Sequence, residues 1–313
     1  MKLGLRGAAS LTLCLALTTL ETKSAHAFCR TNSCDASRGE VCTLDSSGCK
    51  QGGVELYWES SCVTFAVQKD GSKRNEIDAS SFEQVINSAF DTWMNADCGD
   101  GTHPAITVGS HGAVSCSKVE YNKSGNANIY MFRDDEWLAS GPGNALALTT
   151  VWYDWHTGKI YDADVEVNGT VGSTDPSDGA YNQRITNGAP QDGADLPSII
   201  THESGHFLGL DHAPFKPDAT MFTFYDPGVG NLRSLSADDQ AGICAIYPPD
   251  RVATSDSCEP RHGFASSCYA PPSSGCTLRG AGSSDGSRLP WLLLGTGLTA
   301  LLGLRRARRR SAH

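Results

Sequence analysis

Three histidines and a glutamate crowd one short stretch, His202-Glu-Ser-Gly-His-Phe-Leu-Gly-Leu-Asp-His212. His202 and His206 are four residues apart, so a helix over 198–208 puts both imidazoles on one face, within reach of one ion. Gly209 can adopt the positive φ that ends a helix, after which the chain turns back and His212 supplies a third nitrogen. Three neutral imidazoles leave a fourth position on zinc for a water, whose pKa falls to about 7 there. Glu203, next to the first ligand, is placed to take that water's proton and hand it on to a leaving amine after attack on a peptide carbonyl. Two histidines flanking a glutamate also occur by accident on amphipathic surface helices. Gly209 and His212 fix two further positions, and an accidental match to all five is on the order of one in several thousand chains.

These residues need a rigid frame. Asp195 is a candidate N-cap with Pro197 in the first turn, and Leu196, Ile200, Phe207 and Leu208 form a core side. Upstream, Val63 to Gln68 reads as a strand. Phe82, Val85, Ile86, Ala89, Phe90, Trp93 and Met94 form the apolar stripe of a long helix, for which Ser80 and Glu83 offer a capping box. Strands are expected at 106–108, 128–132, 145–153 and 160–167, the last two joined at His156-Thr157-Gly158. In the last of them Tyr161, Ala163, Val165 and Val167 alternate with Ile160, Asp162, Asp164 and Glu166, which predicts a buried face and a charged one. The charged face is either solvated or a Ca2+ site built from carboxylate oxygens. Residues 169–193 form a long polar loop, and Ser236 to Tyr247 a helix with a capping box of Ser236 and Asp239, stopped by Pro248-Pro249.

Both ends of the chain point to export. Residues 1–27 have a basic start, an apolar run and Ala25-His26-Ala27, the pattern of a cleaved signal peptide. Near the other end, Leu289 to Leu304 is apolar and Arg305, Arg306, Arg308, Arg309 and Arg310 follow. As a helix this run rises about 24 Å, a little short of a bilayer core of about 30 Å. Cys276, a polar spacer, the short apolar run and the arginines resemble the C-terminal sorting tags of myxobacterial surface proteins; a simple membrane anchor is the alternative. Either reading makes residues 276–313 a sorting or anchor segment with transient membrane association, and the location secreted or at the bacterial cell surface.

Residues 28–276 hold 15 Lys and Arg against 33 Asp and Glu, a net charge of −18, which repels phosphate backbones and excludes nucleic acid as a partner. Setting aside Cys14 and Cys276 leaves ten cysteines, enough for five disulfides in an oxidising compartment. Five of the ten fall between Phe28 and Cys62, so at least one is expected to pair outside that segment. Residues 28–53 therefore read as a Cys-rich extension. Residues 250–275 read as a Ser/Pro/Cys linker, with Cys258 and Cys268 available as staples.

His202, Glu203, His206, Gly209 and His212, followed by Met221 in a turn, resemble the metzincin metallopeptidases, and the matrixin branch in particular, over residues 54–249. The resemblance implies an α+β catalytic domain: a twisted, mostly parallel sheet with an antiparallel edge strand, packed on long helices, with a zinc cleft between upper and lower subdomains. It implies one catalytic Zn2+ on His202, His206 and His212, Glu203 as general base and Met221 as the floor beneath the metal. It makes the strand at 145–153, with Leu148 and Thr149, the edge that binds an extended peptide, and Tyr225 a wall of the specificity pocket. Thr223 stands where the family usually has Pro. His103, His111 and His156 are too scattered for the family's second, structural zinc, and no cysteine-switch motif is recognisable. The expected function is that of an exported, monomeric zinc endopeptidase acting on proteins or peptides. The competing reading is a non-catalytic surface adhesion or binding protein with a structural zinc, and Glu203 separates the two. A third reading, a disulfide-stabilised module with unligated histidines, is separated from both by metal content.

Overall fold

The computed structural model describes residues 28–135, 137, 145–170, 185–188, 193–225, 228 and 230–268, with the backbone of Arg309–Ala312. The signal segment 1–27, most of the 169–193 loop, Cys276 and the apolar run 289–304 lie outside the described residues. The element order is β1 (Cys29–Arg30), β2 (Thr43–Leu44), β3 (Lys50–Gln51), β4 (Cys62–Gln68), α1 (Ala79–Met94), β5 (Thr107–Val114), β6 (Ile129–Arg133), β7 (Ala147–Tyr153) and β8 (Ile160–Asn168). Then follow β9 (Ile185–Thr186), β10 (Ala194–Asp195), α2 (Leu196–Phe207), β11 (Leu210–Asp211), α3 (Ala237–Ile246) and β12 (Arg309–Ala312). No described helix is long and apolar enough to cross a membrane.

The main sheet runs β12-β7-β8-β6-β4-β5. The β5–β4, β4–β6 and β6–β8 pairs are parallel, while β7 lies antiparallel on β8. This is the α+β sheet with an antiparallel edge strand that the resemblance implies. One face packs on α1 and α2 through Phe65, Phe82, Phe90, Trp93, Tyr130, Val165 and Phe207, all buried. The other face holds a smaller cluster of Ala66, Val114, Ile129 and Met131, covered by Phe264 and Cys268 of the C-terminal segment.

Disulfides tie that segment down. Cys62 bonds Cys258 and Cys116 bonds Cys268, so the stretch read as a linker is strapped across the sheet; Cys98–Cys244 joins the region after α1 to α3. Cys29–Cys49 and Cys34–Cys42 close the N-terminal extension, and Cys62 is the fifth cysteine of that region that pairs outside it. Five disulfides mark a protein that folds in an oxidising, extracellular-type compartment.

Two local expectations are corrected. The cap of α1 is Asp78, whose carboxylate accepts from the Ser80 and Ser81 N–H groups, both at 2.9 Å; Ser80 is already inside the helix. Strict alternation fails in β8 because a bulge lies opposite Trp152 and Tyr153, pairing Tyr153 with Ile160 and Trp152 with Asp162. Ile160 therefore joins the core with Ala163 and Val165. Tyr161 belongs to the outer side, where it stacks on Tyr121 beneath Arg261.

The acidic face is not solvated, since Asp162 and Asp164 are both 0% exposed. Asp164 accepts the Ile129 and Glu120 N–H groups, and Glu166 pairs with Arg133. Among the described residues Asp162, Asp164 and Glu166 belong to no group of three converging ligands; the one such group at this face, Cys116, Glu120 and Cys268, has both cysteines in a disulfide. Neither oxygen of Asp162 has a hydrogen-bond partner among the described residues. Burial, with Asp164 and Glu120 nearby, pushes its carboxyl well above the ordinary carboxylate range. A carboxyl with a raised folded pKa binds its proton more tightly in the native state, so its contribution to stability is lost as pH rises through that range. Asp162→Asn is expected to raise the melting temperature at pH 8 and to leave it nearly unchanged at pH 4, as scanning calorimetry at the two values would reveal. A lower melting temperature at pH 8 would refute a neutral, buried Asp162.

Candidate active site

The metal helix is held from every side. Asp195 caps α2 by accepting the Ser198 N–H and Oγ–H at 3.0 and 2.7 Å. The Trp93 indole N–H donates to the Thr201 carbonyl at 2.7 Å. At the C-terminal end, where carbonyls lack helical partners, the Trp58 indole donates to Phe207 O and the Tyr247 hydroxyl to Leu208 O, both at 2.8 Å. Gly209 has φ +102°, and a Cβ there would lie 2.7 Å from the Leu56 carbonyl, so the turn requires glycine on two counts.

The N-terminal extension contributes to the same place. β1 pairs antiparallel with β11, Cys29 against Asp211 and Arg30 against Leu210. Thr31 adds two bonds, from its N–H to Gly209 O and from its hydroxyl to Leu210 O. The short chain between helix end and third histidine is thereby fixed as a strand, although no period in 28–62 foretells it.

These supports bring the three histidines together, with one nitrogen of each within 4.8 Å of the others. Nδ1 of His202 donates to Thr220 O at 2.6 Å, and Nδ1 of His206 to Leu210 O at 2.9 Å. With the proton on Nδ1, each Nε2 carries a bare lone pair. Yet the Nε2 atoms of His202 and His206 are 3.2 Å apart, as are those of His206 and His212. Facing lone pairs repel unless they share a cation. Tetrahedral zinc with nitrogens at about 2.0–2.1 Å spaces them at about 3.3–3.4 Å, so the donor set fits zinc. Burial holds all three imidazoles below their ordinary pKa, His212 down to about 2, so they are neutral, the form that can hold a metal.

Beneath the cluster, Met221 is buried in its turn. A Cβ on Gly205 would fall 2.3 Å from Met221 Sδ and 2.8 Å from the Trp93 ring, so glycine lets the floor close against the helix. The turn hangs from Asp239, whose carboxylate accepts the Thr220 and Met221 N–H groups at 2.7 and 3.1 Å. The same carboxylate completes the capping box of α3 with Ser236. Asp239 is thus a site residue whose sequence signature pointed to a cap alone.

A model of the matrixin family matches residues 57–248, more than half the chain. The chain belongs to the matrixin family. It is 28% identical over 179 residues to matrix metalloproteinase-2 of Drosophila melanogaster, covering 56% of this chain and 19% of that protein. Over 198 residues it is 28% identical to human matrix metalloproteinase-16, covering 62% of this chain and 28% of that protein. The Arabidopsis thaliana metalloendoproteinase 1-MMP is 24% identical over 200 residues, 64% of this chain and 47% of the relative. The chain therefore spans less than half the length of these relatives, and the shared part is the metallopeptidase region. The family implies zinc for the histidine cluster, in agreement with the donor geometry.

In this matrixin, Glu203 is 1% exposed, and burial pushes its carboxyl up to about 8 against a hydrogen bond from Thr149 that pulls it down. Leu148 and Thr149 both lie on β7, buried, with Thr149 turned to the core face opposite Val165. Tyr225 sits at the start of α2, where its hydroxyl accepts the Asp195 N–H at 2.8 Å. The outer edge of β7 pairs antiparallel with β12, Ser311 against Thr149 and Ala312 against Leu148.

Proposed function

We propose that this matrixin is an exported zinc endopeptidase and that His202, His206 and His212 hold the metal. The observation that carries this reading is the 3.2 Å approach of the unprotonated Nε2 atoms of His202 and His206, with His212 Nε2 at 3.2 Å from the latter, a set of three converging nitrogens that a shared cation stabilises. Zinc, when bound, supplies a Lewis acid that acidifies water and polarises the substrate carbonyl. Glu203, adjacent in sequence to the first ligand and outside the ligand set, accepts the proton of the attacking water and then delivers it to the leaving amine.

Substrate binding follows from the outer edge of β7, the edge on which β12 lies in this structure, where an extended peptide would add as a strand through main-chain hydrogen bonds. The antiparallel seating of Arg309–Ala312 on that edge supports this mode. Leu148 and Thr149 then border the bound peptide through their main-chain groups, the Thr149 side chain being turned to the core. Tyr225, near the entrance of α2, is the candidate pocket wall.

The test is digestion of a proteome-derived peptide library by the full-length protein, with and without a chelator, beside a metal analysis. About one zinc per chain and chelator-sensitive cleavage of internal peptide bonds are expected. Zinc without cleavage would transfer the assignment to a surface binding protein with a structural metal.

A further inference from the structure

Glu203 lies on a helix, and a carboxylate on a helix can rotate about several bonds. Its counterpart here is on the sheet. Thr149, 54 positions away in sequence, is 2% exposed; its hydroxyl donates to Glu203 Oε2 and lies 3.4 Å from the Glu203 carbonyl oxygen. A β-branched side chain on a strand has few rotamers, so the hydroxyl is a fixed point. We infer that Thr149 is the positioning residue of Glu203, clamping Oε2 so that Oε1 is the oxygen that exchanges the proton. This rests on the peptidase reading above and adds to it a residue with no contact to metal or reacting atoms.

The geometry favours this over simple space-filling. A buried hydroxyl on the core face of β7, between Val165 of β8 and helix α2, sits where an aliphatic side chain would pack as well. A polar group there needs a partner, and the partner is the carboxylate that the mechanism uses. Misplacing a catalytic group by about 1 Å costs on the order of 100-fold in rate.

The experiment compares Thr149→Val, Thr149→Ala and Thr149→Ser with wild type in the full-length protein. It follows kcat and KM on one library-derived peptide, zinc content and melting temperature. Val, which keeps the shape and removes the donor, is expected to lower kcat by about 10- to 100-fold. Its KM should stay within about twofold, and zinc content and melting should match wild type. Ser, which keeps the donor, is expected to restore kcat to within about threefold, and Ala to behave like Val. Wild-type kcat in Val, or no recovery in Ser, overturns the inference while the peptidase reading stands. If Val fails to fold, the Ser and Ala pair decides by the same split. A wild-type protein without chelator-sensitive cleavage overturns the peptidase reading and this inference with it.

Discussion

Replacing Glu203 by alanine is expected to lower kcat for peptide hydrolysis by about 10²–10⁴-fold while about one zinc per chain remains bound. The two effects separate because Glu203 is no ligand: the converging nitrogens belong to the three histidines, and their Nδ1 partners are backbone carbonyls on other segments. Glu203→Gln sharpens the test. Its amide oxygen still accepts the Thr149 hydroxyl, so shape and anchoring persist, but it cannot take up a proton from water. The glutamine variant should therefore be as slow as the alanine variant, yet melt at or above the wild-type temperature, because a fully buried carboxyl has been replaced by a neutral group. Steady-state kinetics, metal analysis and thermal melting on the same preparations check all three expectations. Full activity in either variant would remove Glu203 from the mechanism.

The site was legible where it is local. His202, Glu203, His206 and Gly209 lie within two turns of one helix and its stop, so spacing alone placed them. The stripe from Phe82 to Met94 predicted the face that packs on the sheet: six of its seven members lie in the core, and Met94 packs against it. What escaped is long-range or depends on one extra residue. The bulge at Tyr161 exchanges the faces of Ile160 and Tyr161, and no periodicity reveals an insertion that pairing alone defines. Asp162 and Asp164 read as surface residues because their neighbours come from distant parts of the chain: Glu120 and Ile129 donate to Asp164, and the C-terminal segment is strapped over the same side of the sheet by Cys62–Cys258 and Cys116–Cys268. Disulfide connectivity of this kind is set by the finished fold. The Thr149–Glu203 contact is likewise a meeting of strand and helix, which residue types alone do not announce.

Asp239→Ala is expected to damage the site from behind. Asp239 is 2% exposed and accepts the backbone N–H groups of Thr220, Met221 and Ser236 at 2.7, 3.1 and 2.8 Å, with the Ser236 hydroxyl at 2.7 Å. Alanine leaves three N–H groups in that region without their acceptor, each costing about 1–3 kcal/mol, so a loss of about 3–5 kcal/mol is expected after partial relaxation. In a domain of this size that corresponds to about 10 °C of melting temperature. The same change reaches the metal. Thr220 uses its N–H on Asp239 and its carbonyl on His202 Nδ1, so freeing one end of this peptide loosens the group that orients the first ligand. Loss of such an orienting partner weakens metal affinity by about 10- to 100-fold. Asp239→Asn keeps one acceptor oxygen and should fall between wild type and alanine on both scales. Melting curves of zinc-loaded and chelated protein, with zinc affinity from chelator competition, distinguish a local effect from a global one. Local coupling requires a larger drop in the loaded form than in the chelated form. An equal drop in both would make Asp239 a cap of α3 alone, with no share in holding the metal.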